Sequence, residues 1–362
     1  MTQELKKQII SLSKRLMAIE STEPNIKEQE VCLAILGNLF KEDFYIKRYV
    51  FRGHPALVLS TTAKKTVDII FSGHIDVVPG EKLLFKPILK GTKLYGRGAY
   101  DMKAGIVAYL YATVEYRKKG GDKEIAIMLT SDEETTGYGT RMLLEKERYR
   151  GCFAFIADGG HETGIVLKQK GLAQIKVIVP GKSAHASEPW QGDNPLLKMV
   201  RLQEIIAKKF PEPNAKESWR TSVVLTRIES ENSLNQIPEC ALGYFDIRYI
   251  QSKDLKAIVT LVKKIIGSRG AVEMIAENGM FSSVEDDHYV QTLVRILRER
   301  TKKDISFVYE NGTSDAIFFT ESGVPASLYR PKGGGAHQSG EWVDTNSLYE
   351  MYEILIEFLE RS

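Results

Sequence analysis

FSGHIDVVPG (residues 71–80) and GRGAYDMKAG (residues 96–105) are the two segments around which this chain is organised. A β-branched run at 67–71 predicts a buried strand, and His74 and Asp76 follow it as the chain leaves the sheet. Because they lie two positions apart in extended chain, their side chains share one face. The spacing suits a histidine that binds a divalent cation while a carboxylate fixes its ring from behind.

Glycines at positions 96, 98 and 105 surround Asp101 in the second segment. Glycine lets the backbone approach a site closely. Each segment taken alone is more typical of ordinary structure, namely a strand-end histidine beside a helix cap or a glycine-rich turn. The metal-binding interpretation therefore depends on whether other potential ligands in the chain converge with these two segments.

Strand and helix patterns alternate through the first half of the chain and predict a largely parallel sheet sandwiched by helices. Acidic residues and a histidine follow three further predicted strands: Glu133 and Glu134 after 125–129, Asp158 after 153–156, and His337 after 326–329. Ligands in such folds bind outside the carboxyl ends of the strands. We therefore expect these side chains to converge with His74 and Asp76.

From Leu172 the pattern changes to the order β-α-β-β-α-β, which is typical of a compact ferredoxin-like α+β unit. With 362 residues, the chain is also too long for one ordinary core. The sequence predicts an inserted domain at 172–280 that interrupts one α/β domain, whose two parts are 1–171 and 281–362.

Composition and charge restrict the class of partner. The 50 Lys and Arg against 47 Asp and Glu give a net charge of +3, too small to create an electropositive field for nucleic acid. No segment approaches the run of about 18 apolar residues that a membrane span needs. We expect neither nucleic acid nor a membrane as a partner.

The cysteines indicate the cellular compartment. Cys32, Cys152 and Cys240 are odd in number and widely spaced, and each lies among apolar residues, as buried free thiols do in a reducing compartment. Basic residues interrupt the N-terminal apolar pattern, which argues against a secretory signal. A cytoplasmic protein is expected.

Five candidate metal ligands follow from the expected convergence: His74, Asp101, Glu134, Asp158 and His337. Imidazole and carboxylate donors without cysteine are typical of Zn²⁺, Co²⁺ or Mn²⁺. Two ions roughly 3.5 Å apart need a bridging carboxylate and terminal ligands, and this set can supply both. Adjacent Glu133 and Glu134 cannot easily point the same way, so one can bind metal while the other faces a bridging water as general base.

Eight motifs, in chain order, extend the pattern over nearly the whole sequence: SGHIDVVPG, GRGAYDMKAG, TSDEETTG, GKSAHAS, NQIP, FDIR, GTSDA and GAHQSGEWV. They resemble the signatures of the two-metal peptidase and deacylase family that contains acetylornithine deacetylase, succinyl-diaminopimelate desuccinylase and glutamate carboxypeptidase. The resemblance implies a zinc-peptidase-like catalytic domain and an inserted lid domain that dimerises, so a homodimer is expected.

The resemblance also implies a role for each residue of the predicted site. His74 and Asp158 would hold one ion, Glu134 and His337 the other, and Asp101 would bridge them. Glu133 would be the base that deprotonates the bridging water, with Asp76 behind the ring of His74. A cis peptide bond is implied between Asp101 and Met102.

In the inserted domain, the resemblance makes His185 an oxyanion stabiliser, often delivered by the partner subunit, and Asn235 would contribute similarly. The residues that would face a substrate carboxylate are Arg248, Gly312, Thr313 and Ser314. A guanidinium fork matches a carboxylate geometrically. The alternative for Arg248, a salt bridge on a half-exposed strand, is equally compatible with its spacing.

One motif departs from the family's deacylases, in which the carboxylate corresponding to Asp158 is usually a glutamate followed by Pro-Thr. This chain has ADGG at 157–160, closer to the peptidases. We expect a two-metal hydrolase, with Zn²⁺ favoured, that cleaves the amide bond of an N-acyl amino acid with a free carboxylate. A dipeptidase, carboxypeptidase or aminopeptidase acting on short peptides is the near alternative, and a non-catalytic dimeric binding protein is the alternative of another class.

Overall fold

The computed structural model describes residues 1–362, which fold into two units. The first unit comprises Met1–Leu167, Ser282–Val308 and Ser314–Ser362. The second comprises Lys168–Phe281 and Tyr309–Thr313. Residues 168–171, 281 and 309–313 therefore belong to the second unit, whereas the sequence placed them in the α/β domain.

The helices and strands follow in chain order. Up to Gln169 they are α1 Gln3–Met17, α2 Ile26–Leu39, β1 Tyr45–Phe51, β2 His54–Ser60, β3 Thr66–His74, β4 Ile88–Lys90, β5 Lys93–Tyr95, α3 Lys103–Lys118, β6 Ile125–Thr130, α4 Tyr138–Glu145, β7 Arg150–Ile156 and β8 Gly164–Gln169. From Gly171 to Asn278 they are β9 Gly171–Pro180, β10 Ala184–His185, α5 Pro195–Lys209, β11 Ser222–Glu229, β12 Gln236–Ile237, β13 Cys240–Tyr249, α6 Ser252–Ile266 and β14 Ala271–Asn278. The last are β15 Phe281–Ser282, α7 His288–Thr301, β16 Ser306–Glu310, α8 Ala316–Glu321, β17 Ala326–Leu328, β18 Gly333–Gly334, β19 Trp342–Asp344 and α9 Thr345–Arg361.

A nine-stranded sheet has the order β1-β2-β6-β3-β7-β17-β8-β15, and β16 pairs with β8. Its centre is parallel, because β3 pairs in parallel with β6 and β7, and β17 pairs in parallel with β7. The pairs β1 with β2, β2 with β6 and β17 with β8 are antiparallel. The predicted α/β fold with helices on a largely parallel sheet is confirmed.

Both faces of the central strands are buried, which explains their nearly continuous apolar sequences. On one face Phe71 of β3 stacks on Tyr109 of α3 with ring centroids 4.9 Å apart, and Phe155 of β7 meets both rings edge-on. Residues of α1, α7 and α9 join the same core. Each such buried side chain contributes about 1.5–3 kcal/mol, so this core firmly fixes the strands that carry the site.

Parallel strands present their carboxyl ends at one edge of the sheet. At that edge β3 ends at His74, β6 at Thr130 and β7 at Ile156. A small separate sheet of order β18-β19-β5-β4 pairs Trp342 with Tyr95, and so joins the segment after β18 to the segment before Asp101. Distant parts of the chain thus reach the edge where the predicted ligands lie.

The second unit contains a four-stranded antiparallel sheet of order β11-β13-β9-β14. The chain order of its main elements is β9-α5-β11-β13-α6-β14. Strands β9 and β13 alternate buried and more exposed residues, and the buried ones form a core with α5 and α6 that includes Ile175, Phe245 and Ile258. This unit therefore has a core of its own.

The expectation of three buried thiols is wrong for two of them. Cys32 is fully buried, whereas Cys240 is partly exposed and Cys152 is exposed, because it occupies a solvent-facing position of β7. All three cysteines are free thiols. No helix combines the length and the hydropathy that crossing a bilayer requires.

Candidate metal centre

His74 is the last residue of β3, and only 2% of its side chain is exposed. Its Nδ1 lies 3.0 Å from the main-chain oxygen of Asp76 and 3.5 Å from Asp76 Oδ1. The ring is therefore held from behind mainly by the main-chain oxygen rather than by the carboxylate that the sequence favoured. Its other nitrogen, Nε2, is thereby directed into the centre of the cluster.

Asp101 lies between two histidines. Its Oδ1 is 3.2 Å from His74 Nε2, and its Oδ2 is 3.1 Å from His337 Nε2. The Asp101–Met102 peptide bond is cis, as the family resemblance implied. One carboxylate thus contacts both imidazoles, which is the position that a bridging ligand requires.

The two glutamates after β6 face different partners. Glu134 Oε2 lies 3.0 Å from His337 Nε2, and the backbone N–H of Glu134 donates to Asp76 Oδ2 at 2.9 Å. Glu133 Oε2 instead lies 3.9 Å from His74 Nε2. The adjacent carboxylates therefore contact different members of the cluster.

Asp158 follows β7 on the side that Glu133 occupies. One potential ligand atom each from His74, Glu133 and Asp158 lies within 4.8 Å of the others. Arg330, which follows β17, places Nη1 3.9 Å from Asp158 Oδ1 and its guanidinium carbon 3.9 Å from the centroid of the Tyr100 ring. Sequence reasoning did not find Arg330, because a single arginine after a strand carries no spacing signal.

A second group consists of His74, Asp101 and Glu134, whose potential ligand atoms also lie within 4.8 Å of one another. Imidazole nitrogens and carboxylate oxygens are the donors that Zn²⁺, Co²⁺ and Mn²⁺ take in proteins. Carboxylates this close disfavour each other's charge unless protons or cations neutralise them. The residues present therefore fit divalent cations in both donor chemistry and spacing.

The electrostatics of the cluster lead to the same conclusion. Burial raises the pKa of Glu133 well above its usual value, and although His74 opposes the shift, Asp158 reinforces it. Hydrogen bonds to Asp101 and Glu134 raise the pKa of His337 to about 10. Burial alone would raise the pKa of Asp101, but hydrogen bonds from His337 and His74 lower it. The cluster therefore attracts positive charge strongly.

A buried carboxylate without a predicted role holds the Asp101 loop. Glu341 Oε1 accepts hydrogen bonds from the backbone N–H groups of Tyr100 at 2.9 Å and Asp101 at 3.1 Å. Its Oε2 accepts a hydrogen bond from Arg97 Nη1 at 2.6 Å. Both Arg97 and Glu341 lie inside motifs of the resemblance, and that was the only available sequence signal for them.

In the second unit, the structure brings His185 next to Asn235. His185 is exposed, it lies opposite Gln236 in the β10–β12 pair, and its Nδ1 is 2.7 Å from Ser187 Oγ. The side-chain nitrogen of Asn235 lies 3.5 Å from His185 Nε2. The two residues that the resemblance links to oxyanion stabilisation are thus neighbours within this unit.

Arg248 forms a separate pair with Asp246 in the same unit, with Nε to Oδ1 at 2.8 Å and Nη2 to Oδ2 at 3.4 Å. Its Nη1 also lies 3.4 Å from Thr313 Oγ1, next to exposed Gly312. The salt bridge that was the alternative interpretation of Arg248 is therefore present. Ser314 belongs to the first unit and is buried just before α8.

Residues 70–361 match the model of the family described as Peptidase family M20/M25/M40. This match covers most of the chain, so the protein belongs to that family. It is accordingly a metal-dependent hydrolase, which removes the non-catalytic binding protein from the alternatives.

Among curated relatives, the chain is 27% identical over 374 residues to the succinyl-diaminopimelate desuccinylase of Wolbachia pipientis subsp. Culex pipiens, covering 97% of this chain and 92% of the relative. It is 28% identical over 309 residues to the succinyl-diaminopimelate desuccinylase of Helicobacter hepaticus, covering 80% of this chain and 79% of the relative. Each is a similarity spread along the chain rather than confined to one unit.

Among solved structures, aminopeptidase PepT from Bacillus cereus is similar with a TM-score of 0.82 at 20% identity, covering 98% of each chain. The M20 family metallo-carboxypeptidase Sso-CP2 from Sulfolobus solfataricus has a TM-score of 0.78 at 17% identity, covering 100% of this chain and 99% of the other. At these identities the likeness establishes the fold alone.

Proposed function

We propose that this protein is a two-metal deacylase that hydrolyses the amide bond of an N-acyl amino acid with a free carboxylate. One observation carries the proposal: Asp101 contacts both His74 and His337, while Glu134 lies beside His337 and the adjacent Glu133 lies beside His74. A bridging carboxylate and a separate base are what metal-assisted amide hydrolysis requires.

In this proposal His74 and Asp158 hold one ion, Glu134 and His337 hold the other, and Asp101 bridges the two. Zn²⁺ is the proposed metal, with Co²⁺ or Mn²⁺ as substitutes, because the donor set consists of imidazole nitrogens and carboxylate oxygens. When bound, such cations polarise a carbonyl oxygen and lower the pKa of water.

Glu133 is the proposed general base and acid. Its raised pKa suits a group that accepts a proton from the attacking water and then returns it to the departing amine. Only 13% of its side chain is exposed, so bulk water competes little for that proton. Asp76 contributes indirectly by holding His74 and the N–H of Glu134 in place.

The proposed substrate class rests on the curated relatives, which are desuccinylases at 27% and 28% identity. Succinyl-diaminopimelate and similar N-acyl amino acids are therefore the first substrates to test. A peptidase is the second candidate, and the observation that favours it is Asp158 within ADGG, where the deacylases of the resemblance have glutamate.

We further propose that His185 and Asn235 of the second unit stabilise the oxyanion and that the protein is a homodimer. The residues proposed to contact the substrate carboxylate are Arg248, Gly312 and Thr313 of the second unit and Ser314 of the first. The resemblance and the His185 to Asn235 contact support these roles.

Mixing inactive Glu133→Gln with inactive His185→Ala subunits tests whether His185 acts in trans. Hybrid dimers that regain activity support action in trans, and subunits that exchange without any return of activity exclude it.

A cytoplasmic location is part of the proposal, because all three cysteines are free thiols.

The function is tested by removing metal with a chelator, restoring Zn²⁺, Co²⁺ or Mn²⁺, and assaying succinyl-, acetyl- and formyl-amino acids beside dipeptides and tripeptides. Glu133→Gln protein is the matched inactive control. We expect metal-dependent hydrolysis with N-succinyl substrates preferred. Faster hydrolysis of peptides would replace the deacylase with the peptidase, and no metal-dependent hydrolysis of any amide would overturn the proposal.

A further inference from the structure

We propose that Glu341 is a positioning residue that fixes the bridging carboxylate Asp101 and ties its loop to the loop of His337. The inference rests on the proposed function for its catalytic consequence. Its structural content, the geometry of the metal ligands, stands on contacts within the first unit and is measured separately.

Glu341 is attached to the Asp101 loop at both of its ends. Its carboxylate accepts the backbone N–H groups of Tyr100 and Asp101 and the guanidinium of Arg97, and its main-chain oxygen accepts the N–H of Gly96 at 3.0 Å. Four contacts therefore run from one residue to a six-residue stretch. Asp101 is the last residue of that stretch, so the anchored N–H belongs to the ligand itself.

The same residue controls the approach of His337. Only three residues separate Glu341 from His337, which has a left-handed backbone with φ 62°. The loop that carries His337 is tight, since a Cβ on Gly335 would lie 2.9 Å from the Gly340 carbonyl oxygen. Because the chain from Glu341 to His337 is short, anchoring Glu341 limits where the imidazole can meet Asp101 and Glu134.

Burial argues that the carboxylate of Glu341 serves the geometry of the loop rather than the stability of the fold. Its side chain has 0% exposure and that of Arg97 has 3%. An apolar pair of similar volume is often as stable as a buried ion pair or more stable, because the charges lose their hydration. A carboxylate is nevertheless the group that accepts two adjacent backbone N–H groups and a guanidinium at once.

Three variants separate positioning from stability. Glu341→Ala removes every side-chain acceptor. Glu341→Gln leaves one oxygen for which Arg97 and the two N–H groups compete. Arg97→Met with Glu341→Gln removes that competition, so the amide oxygen can turn to the N–H groups of Tyr100 and Asp101. Glu357→Gln is the matched control, because Glu357 pairs with Arg300 at 2.7 Å in the same unit away from the cluster.

The measurements are chelator-competition affinity for Co²⁺, the visible spectrum of the Co²⁺-loaded protein, the melting temperature of the metal-free protein, and kcat and KM. Loss of an outer partner of a metal ligand lowers metal affinity by roughly 10–100-fold, and we expect this for Glu341→Ala together with an altered spectrum and a kcat loss larger than any change in KM. The metal affinity and kcat of Glu341→Gln should lie between those of the wild type and those of Glu341→Ala. The variant that combines Arg97→Met with Glu341→Gln should have the wild-type Co²⁺ spectrum even if its melting temperature is lower.

Wild-type Co²⁺ affinity and spectrum in folded Glu341→Ala protein would overturn the proposal whatever its activity. If that variant does not fold, Glu341→Gln decides: it supports the proposal when its spectrum is altered and the double variant restores it, and overturns it when its spectrum is that of the wild type. A double variant that stays as altered as Glu341→Gln also overturns it. If the wild type binds Co²⁺ but hydrolyses no amide, the proposed function fails and the positioning result still stands.

Discussion

Asp76 and Glu134 are joined by a single hydrogen bond, from the backbone N–H of Glu134 to Asp76 Oδ2 at 2.9 Å. Asp76 Oδ1 is buried without a hydrogen-bond partner and lies 3.5 Å from His74 Nδ1. One carboxylate therefore couples the end of β3 to the loop of the two glutamates. Asp76 thereby links His74, at the end of β3, to Glu134 in the loop after β6.

Asp76→Asn should lower metal affinity roughly 10–100-fold. The amide oxygen can still accept the N–H of Glu134, but its NH₂ group then faces the Nδ1–H of His74 and turns the ring. Chelator competition with Zn²⁺ measures the effect. Asp68→Asn is the matched control, because Asp68 lies on the same strand and accepts the backbone N–H of Glu124 at 2.7 Å. Equal affinities in the two variants would contradict the role of Asp76.

Glu133→Gln should lower kcat by about 10²-fold or more while leaving the metal content intact, because the amide cannot take a proton from water. Glu134→Gln should instead lower the metal content, and its kcat should fall because metal is missing. Metal analysis and kcat on the same preparations distinguish the two residues. A fully active Glu133→Gln protein would remove the assignment of the base.

Metal binding should release protons through His337. Its pKa is raised to about 10, so the metal-free protein carries this proton at neutral pH and must lose it before Nε2 can bind a cation. Affinity should therefore rise with pH across the neutral range, by about tenfold per pH unit for each proton released. A pH indicator in weak buffer measures the release.

The same shift stabilises the metal-free protein below the ordinary pKa of 6.5, and this contribution is lost as the pH rises through about 10. His337→Ala is the control and should release fewer protons on binding Zn²⁺. An identical proton count in the two proteins would show that His337 is not a ligand.

Arg248→Lys should be nearly as damaging as Arg248→Ala if Arg248 binds the substrate carboxylate, because an ammonium cannot reproduce the guanidinium fork. The loss should be roughly 2–5 kcal/mol in kcat/KM. A substrate with its carboxylate converted to an amide is the control, and it should react slowly with wild type and variants alike. If the amide reacts as fast as the acid, Arg248 has a structural role through its contacts with Asp246 and Thr313.

Gly137→Ala should destabilise the protein more than Gly91→Ala. Both glycines have a left-handed backbone, with φ 61° and 59°, so the conformational penalty of about 1–2 kcal/mol is shared. A Cβ on Gly137 would also lie 2.3 Å from Asp315 Oδ1, whereas nothing lies within 4 Å at Gly91. Overpacking adds about 1–3 kcal/mol. Melting temperatures of the metal-free variants measure the difference, and equal values would contradict it.

The elements predicted well are the strands with continuous apolar runs, such as β3 and β6, and the alternating strand and helix patterns from β9 to β14. The sequence missed α8 and the sheet of β18, β19, β5 and β4. Strands of two or three residues have too few positions to show an alternation. They form because partners distant in sequence supply their hydrogen bonds, which no local pattern records.

By itself the sequence determined the α/β sheet and the order in which the candidate ligands follow its strands, because burial on both faces and turn chemistry act locally along the chain. It also gave the family through its ordered motifs. Only the tertiary structure decided that Asp101 contacts two histidines, that Asp76 holds His74 mainly through its main-chain oxygen, and that Arg97 and Glu341 hold the loop. Those contacts join residues up to 244 positions apart, and their geometry depends on packing at tenths of an ångström rather than on residue type.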